Sequence, residues 1–159
     1  MSLAIFDLDG TLIKGQSQQF LVFYLYKKKW LGTFRLVVIL FWFLGYKIGI
    51  CRDPNWIFDY AFECVKGKSL EDGDKMVESF FHDVLKRKFN DQTVSRLKKH
   101  QEKGDEVILV SNAIEPIVRI VANNLGIEKF FSTKLETKSG VYTGKIKGKA
   151  VYHQRKIDV

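Results

Sequence analysis

Two aspartates near the beginning of the chain, Asp7 and Asp9, have the spacing of a catalytic pair. They follow the apolar run Leu3–Phe6, which is typical of a buried strand in a parallel sheet. Carboxylates at the end of such a strand are costly unless they bind a cation or take part in a reaction. Residues two apart in an extended chain point to the same side, so one carboxylate can attack an electrophile while the other transfers a proton.

The next residues, Gly10 and Thr11, extend this pair into a longer motif. The segment Phe6–Leu12 resembles the nucleophile loop of the haloacid dehalogenase superfamily. An acidic hairpin turn at Asp9–Gly10 is the alternative interpretation, but no alternating strand pattern follows Gly10.

The resemblance implies a reaction and a role for each residue of the loop. Asp7 would attack phosphorus and form an aspartyl-phosphate, and Asp9 would protonate the leaving oxygen and then activate water. An aspartate at position 9 favours hydrolysis of a phosphate ester, or phosphoryl transfer to a hydroxyl. The backbone amides around Gly10 and the hydroxyl of Thr11 would bind the phosphate. Mg²⁺ held by Asp7 and Asp9 would neutralise negative charge.

A second apolar run, Val107–Val110, ends in Ser111 and Asn112. Taken alone, Ser-Asn after a strand more often marks the start of a helix. Together with the first motif it resembles the second motif of the same superfamily, which implies that the Ser111 hydroxyl and the following amide hold the phosphate. Because ligands bind at the carboxyl ends of parallel strands, we expect Asp7, Asp9 and Ser111 to meet at one edge of a sheet.

The third motif of the superfamily is a lysine that neutralises the phosphate, and residues 143–157 offer several candidates. This stretch resembles the hairpin-to-helix region of subfamily IB, the phosphoserine-phosphatase-like branch. The register of that branch selects Lys156 as the catalytic lysine, with Lys149 as the alternative. A fourth, acidic motif would complete the Mg²⁺ site after the lysine. Because the sequence ends at Val159, we expect a fragment or degenerate form that lacks the last strands, binds Mg²⁺ weakly and turns over slowly.

The rest of the sequence alternates between strand and helix patterns. A helix within 90–104 precedes the second strand, and another opens at Pro116 and ends at Gly126. A hairpin that turns at Ser139–Gly140 follows. This alternation predicts an α/β fold with a Rossmann-like parallel sheet and right-handed crossovers.

Residues 14–88 differ in composition from the rest and predict an inserted α-helical cap domain. Positions 20 to 62 contain 14 of the 22 aromatic residues of the chain. The Rossmann-like core would comprise residues 1–13 and 89–159, without its last strands. The resemblance implies that the cap selects the substrate and excludes water. No acidic residue follows the loop at 14–18, as one does in the phosphoserine members, so we expect a substrate with an apolar or anionic remainder instead of phosphoserine.

The cap region contains an uncharged, apolar run of 11 residues at 36–46. A membrane span needs about 20 residues, and one crossing here would place the two halves of the predicted site in different compartments. A buried cap helix and a helix on a membrane surface through residues 30–50, with a basic rim, both remain open. A homodimer formed through the cap is a further alternative.

Charge and composition restrict the partners. The net charge of +8 and the pI of about 9.4 favour phosphate esters, anionic membranes or nucleic acid. The lysines are dispersed and no nucleic-acid-binding motif occurs, so we expect a small phosphorylated metabolite and not a nucleic acid. The two cysteines and three histidines form no metal-ligand or disulfide pattern, and no signal peptide pattern occurs, so we expect a cytoplasmic protein.

The sequence therefore supports two hypotheses. The first is a Mg²⁺-dependent phosphomonoester hydrolase, a phosphatase that acts through an aspartyl-phosphate on a small phosphorylated metabolite. The alternative is a catalytically incomplete remnant that binds a partner or a membrane surface through its aromatic, basic cap.

Overall fold

A computed structural model describes residues 2–50 and 55–148 of the chain. It contains five strands and six α-helices within those ranges, together with two short 3₁₀ turns at Glu63–Val65 and Leu85–Lys88. In chain order the elements are β1 (Leu3–Phe6), α1 (Ser17–Lys27), α2 (Thr33–Lys47), α3 (Asn55–Phe62), α4 (Leu70–Asp83), α5 (Asp91–Glu102), β2 (Glu106–Ile114), α6 (Glu115–Leu125), β3 (Lys129–Thr133), β4 (Leu135–Lys138) and β5 (Val141–Ile146).

Three strands form a parallel sheet in the order β1-β2-β3, which confirms the predicted α/β class. Helix α5 connects β1 to β2 after the long helical region, and α6 connects β2 to β3. Parallel neighbours need such crossovers because a tight turn can only join antiparallel strands. Phe6 pairs with Leu109, and Val110 pairs with Phe131. This register decides which side chains meet at the carboxyl edge of the sheet.

Strand β2 continues past the predicted end of its apolar run and reaches Ile114. Its pairing with β3 is irregular between Val110 and Ile114, where Ile114 pairs with Thr133. The Thr133 hydroxyl donates a hydrogen bond of 2.9 Å to the carbonyl oxygen of Asn112 in this irregular stretch. The Thr133 side chain therefore makes a hydrogen bond to the backbone of β2 where the regular pairing of the strands is interrupted. A hydrophobic pattern in the sequence cannot predict such a contact.

Helix ends follow the expected local chemistry. Pro116 lies in the first turn of α6, and Gly126 ends that helix in a left-handed conformation with φ of 67°. Ser69 caps α4 because its hydroxyl accepts a hydrogen bond from the amide of Asp72. Both helices then bury an apolar face, which includes Phe80 of α4 and Val121 of α6.

The second sheet is the predicted hairpin of β4 and β5, which turns through Ser139 and Gly140. Both turn residues have positive φ, at 51° and 78°, as a type I′ turn requires. The hairpin packs on the helical region, where the backbone of Tyr142 hydrogen bonds with Gly67 and Lys68. Its ring lies so close to Gly73 of α4 that an added Cβ would approach it to 2.5 Å. The helical region and the hairpin are therefore packed together.

No helix among residues 2–50 and 55–148 is long and apolar enough to cross a membrane. Helix α2, which contains the apolar run, is 15 residues long. Its Leu36, Ile39 and Trp42 are buried. These side chains join the same apolar core as Leu109 of the sheet.

The beginning of β1 is held to β2 by the carboxylate of Asp105, whose side chain is only 9% exposed. It accepts hydrogen bonds from the amide and the hydroxyl of Ser2, at 2.9 and 2.7 Å, and lies 2.9 Å from Nδ1 of His100. The hydrogen bond from His100, followed by those from Ser2, holds the pKa of Asp105 well below its usual value of 3.8.

We predict that Asp105→Asn lowers the Tm at neutral pH, because the ionised carboxylate stabilises the folded state. A lowered folded-state pKa means that this stabilisation is complete above pH 3.8 and is lost as the pH falls below that value. Thermal unfolding followed between neutral pH and about pH 3 should therefore show a difference between wild type and variant that shrinks with acid. The exposed Asp91→Asn serves as a control, and a pH-independent difference would contradict the prediction.

Candidate active site

The loop after β1 is fixed by buried side chains and by its own backbone. Leu8, Leu12 and Ile13 are fully buried, which anchors the loop in the core. The amide of Ile13 donates to the carbonyl oxygen of Leu8 at 2.9 Å, and the amide of Gly10 donates to the carbonyl oxygens of Ile13 and Gly15. Gly10 has a φ of 75°, a conformation that residues with a Cβ rarely adopt. The two aspartates thus project from a tightly closed loop.

The pairing of β1 with β2 brings the two predicted motifs together. Phe6 and Leu109 are register partners, so Asp7 follows β1 at the level of Val110. Ser111 lies one residue further along the neighbouring strand. Both motifs therefore lie at the same carboxyl edge of the sheet, which is where ligands bind in open α/β folds.

Asp9 takes part in the start of helix α1. Its Oδ1 accepts a hydrogen bond of 2.7 Å from the amide of Ser17, the first residue of that helix. The N-cap residue Gln16 makes no capping hydrogen bond with its own side chain. A carboxylate at a helix N-terminus satisfies an otherwise unpaired amide and interacts favourably with the helix dipole. The predicted acid/base residue is therefore oriented by α1.

Helix α1 also contacts the second motif. The side-chain amide of Gln18 donates to the carbonyl oxygen of Asn112 at 3.0 Å. Ser111 is fully buried, and its Oγ accepts a hydrogen bond of 3.1 Å from the amide of Ala113. A phosphate would reach the Ser111 hydroxyl only if the residues that cover it move. Because Ser17 and Gln18 are neighbours, the beginning of α1 links Asp9 to Asn112.

The predicted phosphate cradle is occupied by contacts within the loop. The amide of Leu8 donates to Oδ1 of Asp7 at 2.8 Å, and the amide of Thr11 points to the carbonyl oxygen of Leu8. The amide of Gly10 is also used within the loop. Lys156 and its alternative Lys149 lie outside the described residues, so the structure provides no position for the predicted lysine.

The carboxylates of Asp7 and Asp9 are suitable donors for Mg²⁺. Within residues 2–50 and 55–148, no group of three or more His, Cys, Asp or Glu side chains could hold a metal ion. Mg²⁺, however, is commonly bound by one or two carboxylates that it shares with a substrate phosphate and several waters. A pair of hard oxygen donors in the predicted phosphate-binding loop fits that requirement.

Cys64, a cysteine in the described part of the chain, is also of a type that could supply a nucleophile, but its environment opposes this role. Burial raises the pKa of its thiol to about 11. A thiol is nucleophilic only as the thiolate, so the raised pKa disfavours Cys64 as a nucleophile at neutral pH.

Comparison with known proteins identifies the family. The family model for haloacid dehalogenase-like hydrolases matches residues 4–159, which is nearly the whole chain. The protein belongs to this family. The match confirms the resemblance drawn from the Asp7 loop. In this haloacid dehalogenase-like chain, the two predicted motifs lie together at the carboxyl edge of the sheet.

Individual relatives agree with the family. A histidinol-phosphatase of Neisseria meningitidis serogroup C (strain 8013) is 29% identical over 158 residues, which are 98% of this chain and 71% of the relative. A protein of unknown function from Bordetella pertussis Tohama I superposes with a TM-score of 0.86 at 23% identity, over 99% of this chain and 71% of the other. A phosphoserine phosphatase in a phospho-aspartyl intermediate analogue form superposes with a TM-score of 0.61 at 18% identity, over 92% and 63%.

These likenesses have different weight. The two structures are too distant in sequence to show more than the fold. The family match and the histidinol-phosphatase relative support the prediction of a phosphatase-type enzyme.

In this haloacid dehalogenase-like chain, Asn112 of the predicted site lines a cavity that the sequence did not predict. It has a volume of about 340 Å³ and lies among α1, α2 and α3, with Asn112 in its wall. Gln16, Gln18 and Gln19 also line it. The three glutamines at 16, 18 and 19 were the sequence feature that could have indicated a neutral polar wall. The cavity itself forms only because α2 and α3 pack over α1.

A pair of variants tests the capping role of Asp9. Asp9→Asn and Asp9→Ala remove the same charge, but asparagine keeps an oxygen that can accept from the amide of Ser17. We predict that the alanine variant is less stable than the asparagine variant by about 1 kcal/mol, the usual value of a helix cap. Urea unfolding measures this difference, and equal stabilities would contradict the capping role.

Proposed function

We propose that this chain hydrolyses a small phosphomonoester through an aspartyl-phosphate on Asp7. The observation that carries the proposal is the parallel register of β1 and β2, which sets Asp7 and Ser111 at the same edge of the sheet. Asp9, held by α1, lies two residues from Asp7 in the same closed loop. The family membership supports the same chemistry.

The reaction takes two displacements at phosphorus. In the first, a carboxylate oxygen of Asp7 bonds to phosphorus, the ester P–O bond breaks, and Asp9 donates its proton to the leaving oxygen. In the second, water attacks phosphorus while Asp9 takes its proton, and the bond between Asp7 and phosphorus breaks to release inorganic phosphate. The hydrogen bond from Ser17 orients Asp9 in both steps.

Charge neutralisation completes the proposed site. Mg²⁺, when bound by Asp7 and Asp9, would neutralise charge on the phosphate. Among this chain's residues, Ser111 and Asn112 would bind the phosphate together with Gly10 and Thr11, once the contacts within the loop rearrange.

Lys156 would supply the positive charge, with Lys149 as the alternative. We further propose that residues 14–88 act as a cap over a core of 1–13 and 89–159, with the β4–β5 hairpin packed on the cap. The cytoplasmic location stays a prediction from the cysteine usage.

The substrate is a small phosphorylated metabolite. The Neisseria relative is a histidinol-phosphatase, so histidinol phosphate belongs in the first panel of substrates, beside phosphoserine and simple alkyl phosphates.

The nucleophile is tested by Asp7→Asn, with exposed Asp91→Asn as a control for the loss of one charge. Asp7→Asn should lower kcat by about a thousandfold or more, because the asparagine side chain has no carboxylate oxygen that could attack phosphorus. Intact-protein mass spectrometry during turnover should detect a phosphorylated wild-type chain and none for the variant. A phosphoenzyme that persists in Asp7→Asn would contradict the assignment.

A second candidate function rests on the exposed face of α2. Phe34 and Phe41 are 79% and 70% exposed, and Leu44 and Ile48 continue the same helical stripe in the solvent. The three lysines at 27–29 precede this helix. An apolar stripe beside basic residues fits the surface of an anionic membrane, which we propose as a docking surface that would bring the enzyme close to a membrane.

The structure identifies the side chains that test this surface. Trp42 is only 6% exposed and packs in the core, so a charge at that position would disrupt folding instead of probing the surface. The double variant Phe34→Asp/Phe41→Asp should abolish flotation with vesicles of anionic phospholipid, whereas Leu70→Asp, on α4, should float as the wild type does. Failure of the wild type to float with these vesicles would reject the proposed membrane docking. A change of elution volume in the double variant would instead indicate the homodimer.

A further inference from the structure

The cavity beside the proposed site is lined mainly by apolar and aromatic side chains. Leu21 and Val22 of α1 face Ile39 and Phe43 of α2 across it, and Phe58 contributes from α3. Its volume of about 340 Å³ is within the usual range for sites that bind small molecules.

No lining residue in the described part of the chain is charged. The lining residues with polar groups are neutral: Tyr46, Trp42 and the amides of Gln16, Gln18, Gln19 and Asn112. A buried ammonium or carboxylate loses its hydration and needs an opposite charge in compensation. An alkyl or aryl group needs none, because transfer from water into an apolar wall is itself favourable.

The cavity shares Asn112 with the proposed site. Gln18 and Asn112, which are hydrogen bonded to each other, both line it. Asn112 follows Ser111 in β2, and Gln18 follows Ser17, which donates to Asp9. Asn112, which is proposed to bind the phosphate, therefore also forms part of the cavity wall.

We infer that this cavity receives the leaving group of the phosphomonoester, and that the leaving group is an uncharged alkyl or aryl body. The inference rests on the proposed function, because it assigns the cavity to the substrate of the same site. The sequence predicted a phosphate ester whose other part is either apolar or anionic, and the inference selects the apolar alternative. It also disfavours substrates with an ammonium group, such as phosphoserine and histidinol phosphate.

The test compares heptylphosphonate with 6-aminohexylphosphonate, which have the same chain length and differ in a terminal methyl or ammonium group. Neither can be hydrolysed, so calorimetric titration of the full chain with Mg²⁺ measures binding alone. We expect heptylphosphonate to bind at least about tenfold more tightly, because the ammonium group is desolvated without a partner. Equal or tighter binding of the amino compound, or no binding of either, would overturn the inference.

A charge placed in the cavity wall provides an internal check. Gln19→Glu changes an amide to a carboxylate of almost the same shape. It should lower the ratio of the two affinities, heptylphosphonate over 6-aminohexylphosphonate, by several-fold. Gln92→Glu makes the same change on the exposed surface of α5 and should leave the preference unchanged. If the preference for heptylphosphonate is the same in Gln19→Glu as in the wild type, the alkyl chain binds elsewhere.

Hydrolysis of heptyl phosphate separates the two proposals. If heptylphosphonate binds with the expected preference but the wild type releases no phosphate from heptyl phosphate or from methyl phosphate, the proposed function fails, and only the preference of the cavity for an uncharged alkyl group stands. If both esters are hydrolysed and the phosphonates bind equally, the phosphatase assignment stands and the cavity assignment fails.

Discussion

The parallel pairing of β1 with β2 is the constraint on which the site depends. The strands are separated by almost 100 residues of chain, yet the pairing of Phe6 with Leu109 fixes the relative height of the two segments that follow them. A shift of one residue would turn every side chain of β1 to the opposite face of the sheet. Asp105 supports this register, because its carboxylate binds the beginning of the first strand through Ser2.

Helix α1 connects this edge to the rest of the molecule. Its first amide binds Asp9, and its second residue binds the carbonyl oxygen of Asn112. Further along the same helix, Leu21 and Val22 line the cavity. A single rigid element therefore orients a carboxylate, links two loops and forms one wall of the pocket, so that substitutions in α1 would affect chemistry and selectivity together.

Helix α2 has two apolar faces with different environments. Leu36, Ile39 and Trp42 face the core, whereas Phe34, Phe41 and Leu44 face solvent. A helix that is apolar all round is normally buried on every side, and its exposed stripe is therefore the basis of the proposed docking surface. The sequence alone left the buried helix and the surface helix open, and in the structure α2 has one buried and one exposed apolar face.

The local patterns of the sequence determined the elements that position the chemistry. The apolar runs before Asp7 and Ser111 predicted the two strands, and Pro116, Gly126 and Ser139–Gly140 predicted helix ends and a hairpin turn, because these residues act through their own backbone preferences. Family resemblance assigned roles to the aspartates for the same reason, since their spacing is local.

Tertiary structure alone decided what lies between distant segments. The contact of Gln18 with Asn112 and the neutral cavity among α1, α2 and α3 join residues that are far apart in the chain. The capping of α1 by Asp9 spans only eight residues but depends on the closed loop between them. Hydrophobic periodicity reports which residues are buried, but it does not report against which neighbours they pack. For this protein the sequence therefore determined the candidate catalytic chemistry, whereas packing decided the shape and charge of the space offered to the substrate.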